Sequence, residues 1–132
     1  MRNSGQYILT IDIGTTNLKC IIYDYKGMMV AHSSQSHPTN YSLPGYAEQS
    51  PEIWVNHLQN LLQIMKNKYP QIFLNIQGIS LTGQMHGPIF LNSHGEVIYP
   101  CMIWSDIRAR KETNGLRNRF LSEDIVKITG NP

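Results

Sequence analysis

Two apolar, β-branched runs, residues 7–13 (YILTIDI) and 18–24 (LKCIIYD), stand with only Gly14, Thr15, Thr16 and Asn17 between them. A link that short joins antiparallel neighbours, because a parallel crossover takes about a dozen residues or more. The compact turn YKG, residues 25–27, leads into a third strand over 28–33, so the chain opens as an antiparallel meander in which strand order follows sequence order. The first run is mostly apolar, as expected of a central strand buried on both faces. A loop rich in Ser, Pro, Asn and Gly covers 35–49, and then helix signals begin: Ser50 as N-cap, Pro51 at the first helical position and Glu52 opposing the dipole. Trp54, Leu58, Leu61, Leu62 and Met65 form one apolar stripe, read as core, before Lys66, Lys68 and a stop at Pro70. Residues 76–81 read as a fourth strand. Residues 88–91 and 96–99 flank NSHG as a short hairpin, a polar helical segment runs from about 107 toward 120, and Ser122 caps a last helix ending at Gly130. The sum is an α/β domain, a mixed sheet with an antiparallel meander and flanking helices.

Composition narrows the function classes. A net charge of +2 over 132 residues is too small to imply nucleic acid or an anionic membrane surface, although Arg108, Arg110, Lys111, Arg117 and Arg119 fall in one stretch. That stretch reads as the solvated face of a helix. Cys20 and Cys101 each lie in an apolar segment, which suits buried thiols in a reducing, cytoplasmic compartment better than a disulfide. The run over 7–13 is too short for a membrane span or a signal-peptide core. His32, His37, His57 and His94 show no metal-ligand spacing with one another or with the cysteines, so they read as structural.

Two segments carry chemistry. DIGTTNLK, residues 12–19, holds a carboxylate, a glycine and two hydroxyls in a turn, with a lysine in the strand that follows. Gly14 lets an anion approach the backbone, Thr15 and Thr16 add donors, and Asp12 can hold magnesium through water. The segment is not a Walker A loop, since no Gly-Lys-Ser/Thr and no helix follow Gly14. An ordinary hairpin turn, in which Asp12 and Gly14 serve geometry alone, remains the competing reading. TGQMHG, residues 82–87, sets Gln84, Met85 and His86 between two glycines where a strand end needs no more than a turn. Taken singly, His86 reads as structural and Trp104, in CMIW, as core.

Taken together these motifs carry a resemblance. TIDIGTTNLKCIIYD, residues 10–24, resembles the first phosphate-binding motif of the actin-like, ribonuclease-H-like ATPase superfamily. GISLTGQMHGPIFLNSHGEVIYPCMIWSDIRA, residues 78–109, resembles the N-terminal region of the FGGY carbohydrate kinases, the xylulokinases in particular. The resemblance implies ATP and Mg²⁺ as cofactors, held by Asp12, Gly14, Thr15, Thr16 and Lys19, with Asp12 toward the metal. It implies a xylulose-like ketose held by Gln84, Met85, His86, Trp104 and Asp106, with Trp104 packed on the carbon skeleton and Gln84 either touching sugar or bracing the turn. The family's catalytic base is an aspartate farther along the chain, so no catalytic residue is assigned here and Asp12 does not take its place. Ser105 stands where xylulokinases commonly carry Asn, which leaves sedoheptulose, gluconate or another polyol open as substrate. By the same resemblance, residues 1–132 are expected to be the N-terminal part of the family's first domain, an incomplete domain whose uncovered strand edge and apolar faces favour self-association. Two other readings stay open, a non-catalytic sugar-binding module and an actin-like ATPase with a protein partner. For the latter, GQMHG with Trp104 has no evident use.

Overall fold

The structure, a computed structural model, describes residues 5–130. The opening meander forms as expected: β1 (Tyr7–Ile13), β2 (Asn17–Asp24) and β3 (Met29–Ser36) pair antiparallel in chain order. The β2–β3 turn is closed by the Asp24 carboxylate, whose Oδ1 accepts the backbone N–H of Lys26 and of Met28, each at 2.9 Å. β3 runs three residues past the expected Ser33. Short β4 (Glu48–Gln49) then delivers the chain to α1 (Pro51–Lys68). Pro51 takes the first turn as expected, but the Ser50 hydroxyl hydrogen-bonds the Glu52 carboxylate and makes no cap to the backbone. Pro70 ends α1 and itself begins α2 (Pro70–Leu74), consistent with a fixed φ that suits a first helical turn. The chain then enters β5 (Ile76–Gly83), which pairs parallel to β1, so the main sheet is mixed with order β3-β2-β1-β5. β6 (Phe90–Leu91) and β7 (Val97–Tyr99) form the NSHG hairpin, β8 (Cys101–Met102) pairs with β4, and α3 (Arg110–Arg117) and α4 (Ser122–Thr129) follow. Leu121, one residue earlier than expected, is the N-cap of α4, and Gly130 closes it in the left-handed region at φ 72°.

The core lies between α1 and one face of the meander. Leu9, Ile11, Leu18, Cys20, Ile22 and Ala31 from the strands meet Leu61 and Met65 of α1. Each large side chain buried this way contributes about 1.5–3 kcal/mol. The expectation that β1 is buried on both faces is corrected. β1 is central, yet Ile8 is 49% exposed, because α1 covers only the face that carries Leu9 and Ile11. Register aligns Ile79 with Leu9 and Leu81 with Ile11, but α1 packs over β2 and β3, so Ile79 and Leu81 at the β5 edge lie open at 66% and 70% exposure. No helix among the described residues is long and apolar enough to cross a membrane.

Candidate active site

Because β1 and β5 are parallel, their C-terminal ends coincide, and both chemistry-bearing segments emerge there. Asp12 pairs in register with Lys19 on β2 and with Thr82 on β5. Its carboxylate lies 3.5 Å from the Lys19 ammonium, with both side chains partly exposed. The turn after β1 is held from several sides. The Gly14 N–H donates to the Asn17 carbonyl (3.1 Å), and a Cβ on Gly14 would sit 3.0 Å from that same oxygen. The N–H of Gly14 is therefore spent on the turn, and its contribution is the lack of a side chain. Thr16 is exposed, and its carbonyl accepts the His37 N–H at 3.0 Å.

The glycines that bracket Gln84, Met85 and His86 answer to packing. A Cβ on Gly83 would meet the Ile13 carbonyl oxygen at 2.9 Å, and one on Gly87 would meet the Cys101 sulfur at 2.6 Å. They let this segment close against β1 on one side and β8 on the other, which also lets the Gln84 N–H donate to the Ile13 carbonyl (2.9 Å). Between them His86 adopts φ 65°, a left-handed backbone that is uncommon outside glycine. Strain of this kind tends to persist where surrounding structure over-determines it, as at ligand sites.

Trp104 sits in a turn closed by the Asp106 N–H donating to the Ile103 carbonyl (2.9 Å). That turn is pinned on both sides of Ala47: the Ile103 N–H donates to the Ala47 carbonyl (3.0 Å), and the Ala47 N–H donates to Asp106 Oδ2 (2.8 Å). The Trp104 indole N–H donates to Thr15 Oγ1 at 3.0 Å, while the residue stays 61% exposed. Thr15, Gly83, Gln84, Met85, His86 and Trp104 thus line a single cleft of about 370 Å³.

Asp106, expected at a sugar hydroxyl, does not line that cleft. Its carboxylate accepts from Arg108 Nε and Nη2 as well as from Ala47, and the Arg108 guanidinium holds it down to about pKa 2. Arg108 also donates to Glu48 (2.7 Å) and Tyr99 (3.2 Å) and stacks on the Tyr46 ring at 3.6 Å, and its own pKa is raised. The assignment of Arg108 to a solvated helix face is thereby corrected: it precedes α3 and ties the Trp104 turn to β4, while Arg110, Lys111, Arg117 and Arg119 are exposed.

Two further residues brace the turn: Gln49, which the sequence reading passed over, and His37, which it took as structural. Gln49, 2% exposed, donates from Nε2 to the Thr15 carbonyl and to Thr39 Oγ1 (both 2.7 Å), and its Oε1 accepts from Gln84 Nε2 (2.9 Å) and Trp54 Nε1 (3.2 Å). His37, 6% exposed, approaches the Gly14 carbonyl through Nε2 at 2.9 Å. A carbonyl can only accept, so Nε2 carries the proton. No spacing signal marks either residue, since Gln49 reaches the turn from β4 and His37 from the loop after β3, both distant in sequence.

Comparison with known proteins accords with this geometry. A family model described as "FGGY family of carbohydrate kinases, N-terminal domain" matches residues 7–132. The xylulose kinase of Lactococcus lactis subsp. lactis (strain IL1403) is 32% identical over 125 residues, 95% of this chain and 25% of that protein. Among solved structures, a xylulose kinase from Brucella ovis superposes with TM-score 0.87 at 29% identity, over 96% of this chain and 26% of that one. A gluconate kinase from Lactobacillus acidophilus does so with TM-score 0.87 at 31% identity, over 97% and 25%. The chain spans about a quarter of the length of these relatives. With its actin-like mixed sheet and the match over nearly all of its residues, the chain belongs to the FGGY family of carbohydrate kinases.

Proposed function

We propose that this chain supplies the first phosphate-binding turn and part of the sugar site of an ATP-dependent kinase acting on a xylulose-like ketose. The observation that carries the reading is Thr15. One hydroxyl in the phosphate turn bonds both Gln84 and Trp104, so donor turn and sugar cleft share a wall. In-line transfer needs phosphorus donor and hydroxyl within about 3–3.5 Å, which such a shared wall can provide.

The exposed Trp104 face and Met85, 71% exposed, offer the apolar surface for a sugar's carbon skeleton, and the His86 imidazole offers a polar group for its hydroxyls. With the Trp104 N–H committed to Thr15, that ring contributes packing and no donor. Asp106 and Arg108 hold the Trp104 turn in place. At the donor side, Thr16 and the Lys19 ammonium face the phosphates. Asp12, a single part-exposed carboxylate, suits a magnesium ion bound through water, because Mg²⁺ keeps several waters and needs one or two carboxylates beside phosphate oxygens. Bound there, magnesium would neutralise charge on the phosphate oxygens. The proton leaving the sugar hydroxyl is not assigned to a residue of this chain.

Gluconate is the second substrate reading. Ser105, in place of the asparagine usual in xylulokinases, leaves it open, and a gluconate kinase is similar to this chain at 31% identity, beside 32% for a xylulose kinase. The test is ADP release by the gene product that carries this chain, with Mg-ATP and D-xylulose, sedoheptulose, gluconate or glycerol. Sugar-dependent release with D-xylulose ahead supports the proposal, release led by gluconate selects the second reading, and no sugar-dependent release across the panel overturns both.

A further inference from the structure

The cleft's polar side chains form a hydrogen-bonded chain with a fixed direction. Trp104 Nε1–H donates to Thr15 Oγ1, the Thr15 hydroxyl donates to Gln84 Oε1 (3.4 Å), and Gln84 Nε2 donates to Gln49 Oε1. Each step fixes the next, because an indole N–H can only donate and a hydroxyl has one proton to give. The chain ends on Gln49, whose two donor hydrogens and two acceptor positions all have partners. Gln49 also grips the Thr15 backbone carbonyl, so it holds Thr15 twice, directly and through Gln84. An amide with all four positions satisfied in a buried site has one orientation, and leaving any of its partners unpaired there is costly.

Resting on the kinase reading above, we propose that Gln49 is a positioning residue for phosphoryl transfer. From beneath the cleft, it sets the register between the phosphate turn and the sugar-binding segment, and through Thr15 it sets the orientation of the Trp104 ring. It lines no part of the cleft itself. The amide chemistry, and not its bulk, does this. A glutamate of the same shape keeps both acceptors, loses both donors, and places a carboxylate oxygen against the Thr15 carbonyl.

The test uses the gene product that carries this chain, with ¹⁵N-labelled indoles assigned through Trp104→Phe and Trp54→Phe. Gln49→Glu is compared with Gln49→Met, an apolar side chain of equal length that avoids the repulsion and keeps the variant set informative if the glutamate fails to fold. Both should shift the Trp104 indole resonance and speed its hydrogen exchange, although Gln49 does not touch Trp104. For the glutamate variant kcat with the sugar should fall about 10–100-fold, with KM for the sugar changing less than about threefold, since misplacement rather than a lost ligand contact is at work. An unchanged Trp104 indole in folded variants overturns the proposal, as does unchanged kcat where the wild type turns over sugar. A wild type without sugar turnover refutes the kinase reading instead, and the indole signal then decides the positioning role on its own.

Discussion

Replacing Gly87 by alanine isolates the close packing that seats the segment of Gln84, Met85 and His86. The added Cβ would lie 2.6 Å from Cys101 Sγ, while the next neighbour, the Met102 carbonyl oxygen, is at an ordinary 3.8 Å. Non-bonded carbon contacts settle at about 3.5–4.0 Å, so roughly 1 Å of overlap must be relieved. Cys101 is 1% exposed and cannot simply swing into solvent. Overpacking of this size costs about 1–3 kcal/mol. Gly87 does not have a positive φ, so alanine fits its backbone and returns about 0.4–1 kcal/mol by restricting the unfolded chain. Gly87→Ala should therefore destabilise by about 1–2 kcal/mol alone and become neutral or stabilising once Cys101→Ala has removed the sulfur. The two changes should couple by about 1–3 kcal/mol in a double-mutant cycle measured by urea unfolding. Equal destabilisation of Gly87→Ala in both backgrounds would refute the packing argument.

Three further outcomes follow from the same coordinates. Asp106 is held at about pKa 2 in the folded chain, below its unfolded value of about 4, so its contribution is full above pH 4 and lost as pH falls from about 4 through 2. Acid unfolding of Asp106→Asn should lack that component, and an unchanged pH dependence would count against the ionic cluster. Burial pushes the Cys20 thiol up to about 11 and raises Cys101, so both should react with a disulfide reagent at neutral pH only as fast as the fold opens; rapid stoichiometric labelling of the native protein would contradict this. The 132-residue chain by itself should self-associate at micromolar concentration through the β5 edge, where Ile79 and Leu81 are exposed, and sedimentation of a monodisperse monomer would disprove it.

The meander, α1 and the fourth strand were legible because each rests on local rules. Period and turn chemistry set the strands of the meander, and Pro51 with the Trp54–Met65 stripe set the helix. The turn after β1 and the segment of Met85 and His86 converge because β1 and β5 pair in parallel. What remained hidden was long-range. Gln49 and Thr15 are 34 residues apart, and Trp104 and Thr15 are 89 apart, so no window of sequence shows their bonds. Arg108 read as surface because it sits in a basic run, and it is Glu48 and Tyr46, arriving from elsewhere beside the local Asp106, that remove it from water. Gly83 and Gly87 showed in the sequence only as brackets of a turn, whereas the structure sets them against Ile13 and Cys101.

The central claim is that the cleft beside Thr15 binds the sugar while the turn before it faces the nucleotide. Steady-state kinetics of His86→Ala in the gene product that carries this chain tests it most directly, because His86 lines the cleft and Asp12 and Lys19 do not. Losing a hydrogen bond to a sugar hydroxyl should lower kcat/KM for the sugar by about tenfold or more and leave KM for Mg-ATP unchanged. Unaltered sugar kinetics, or a defect confined to Mg-ATP, would contradict the account.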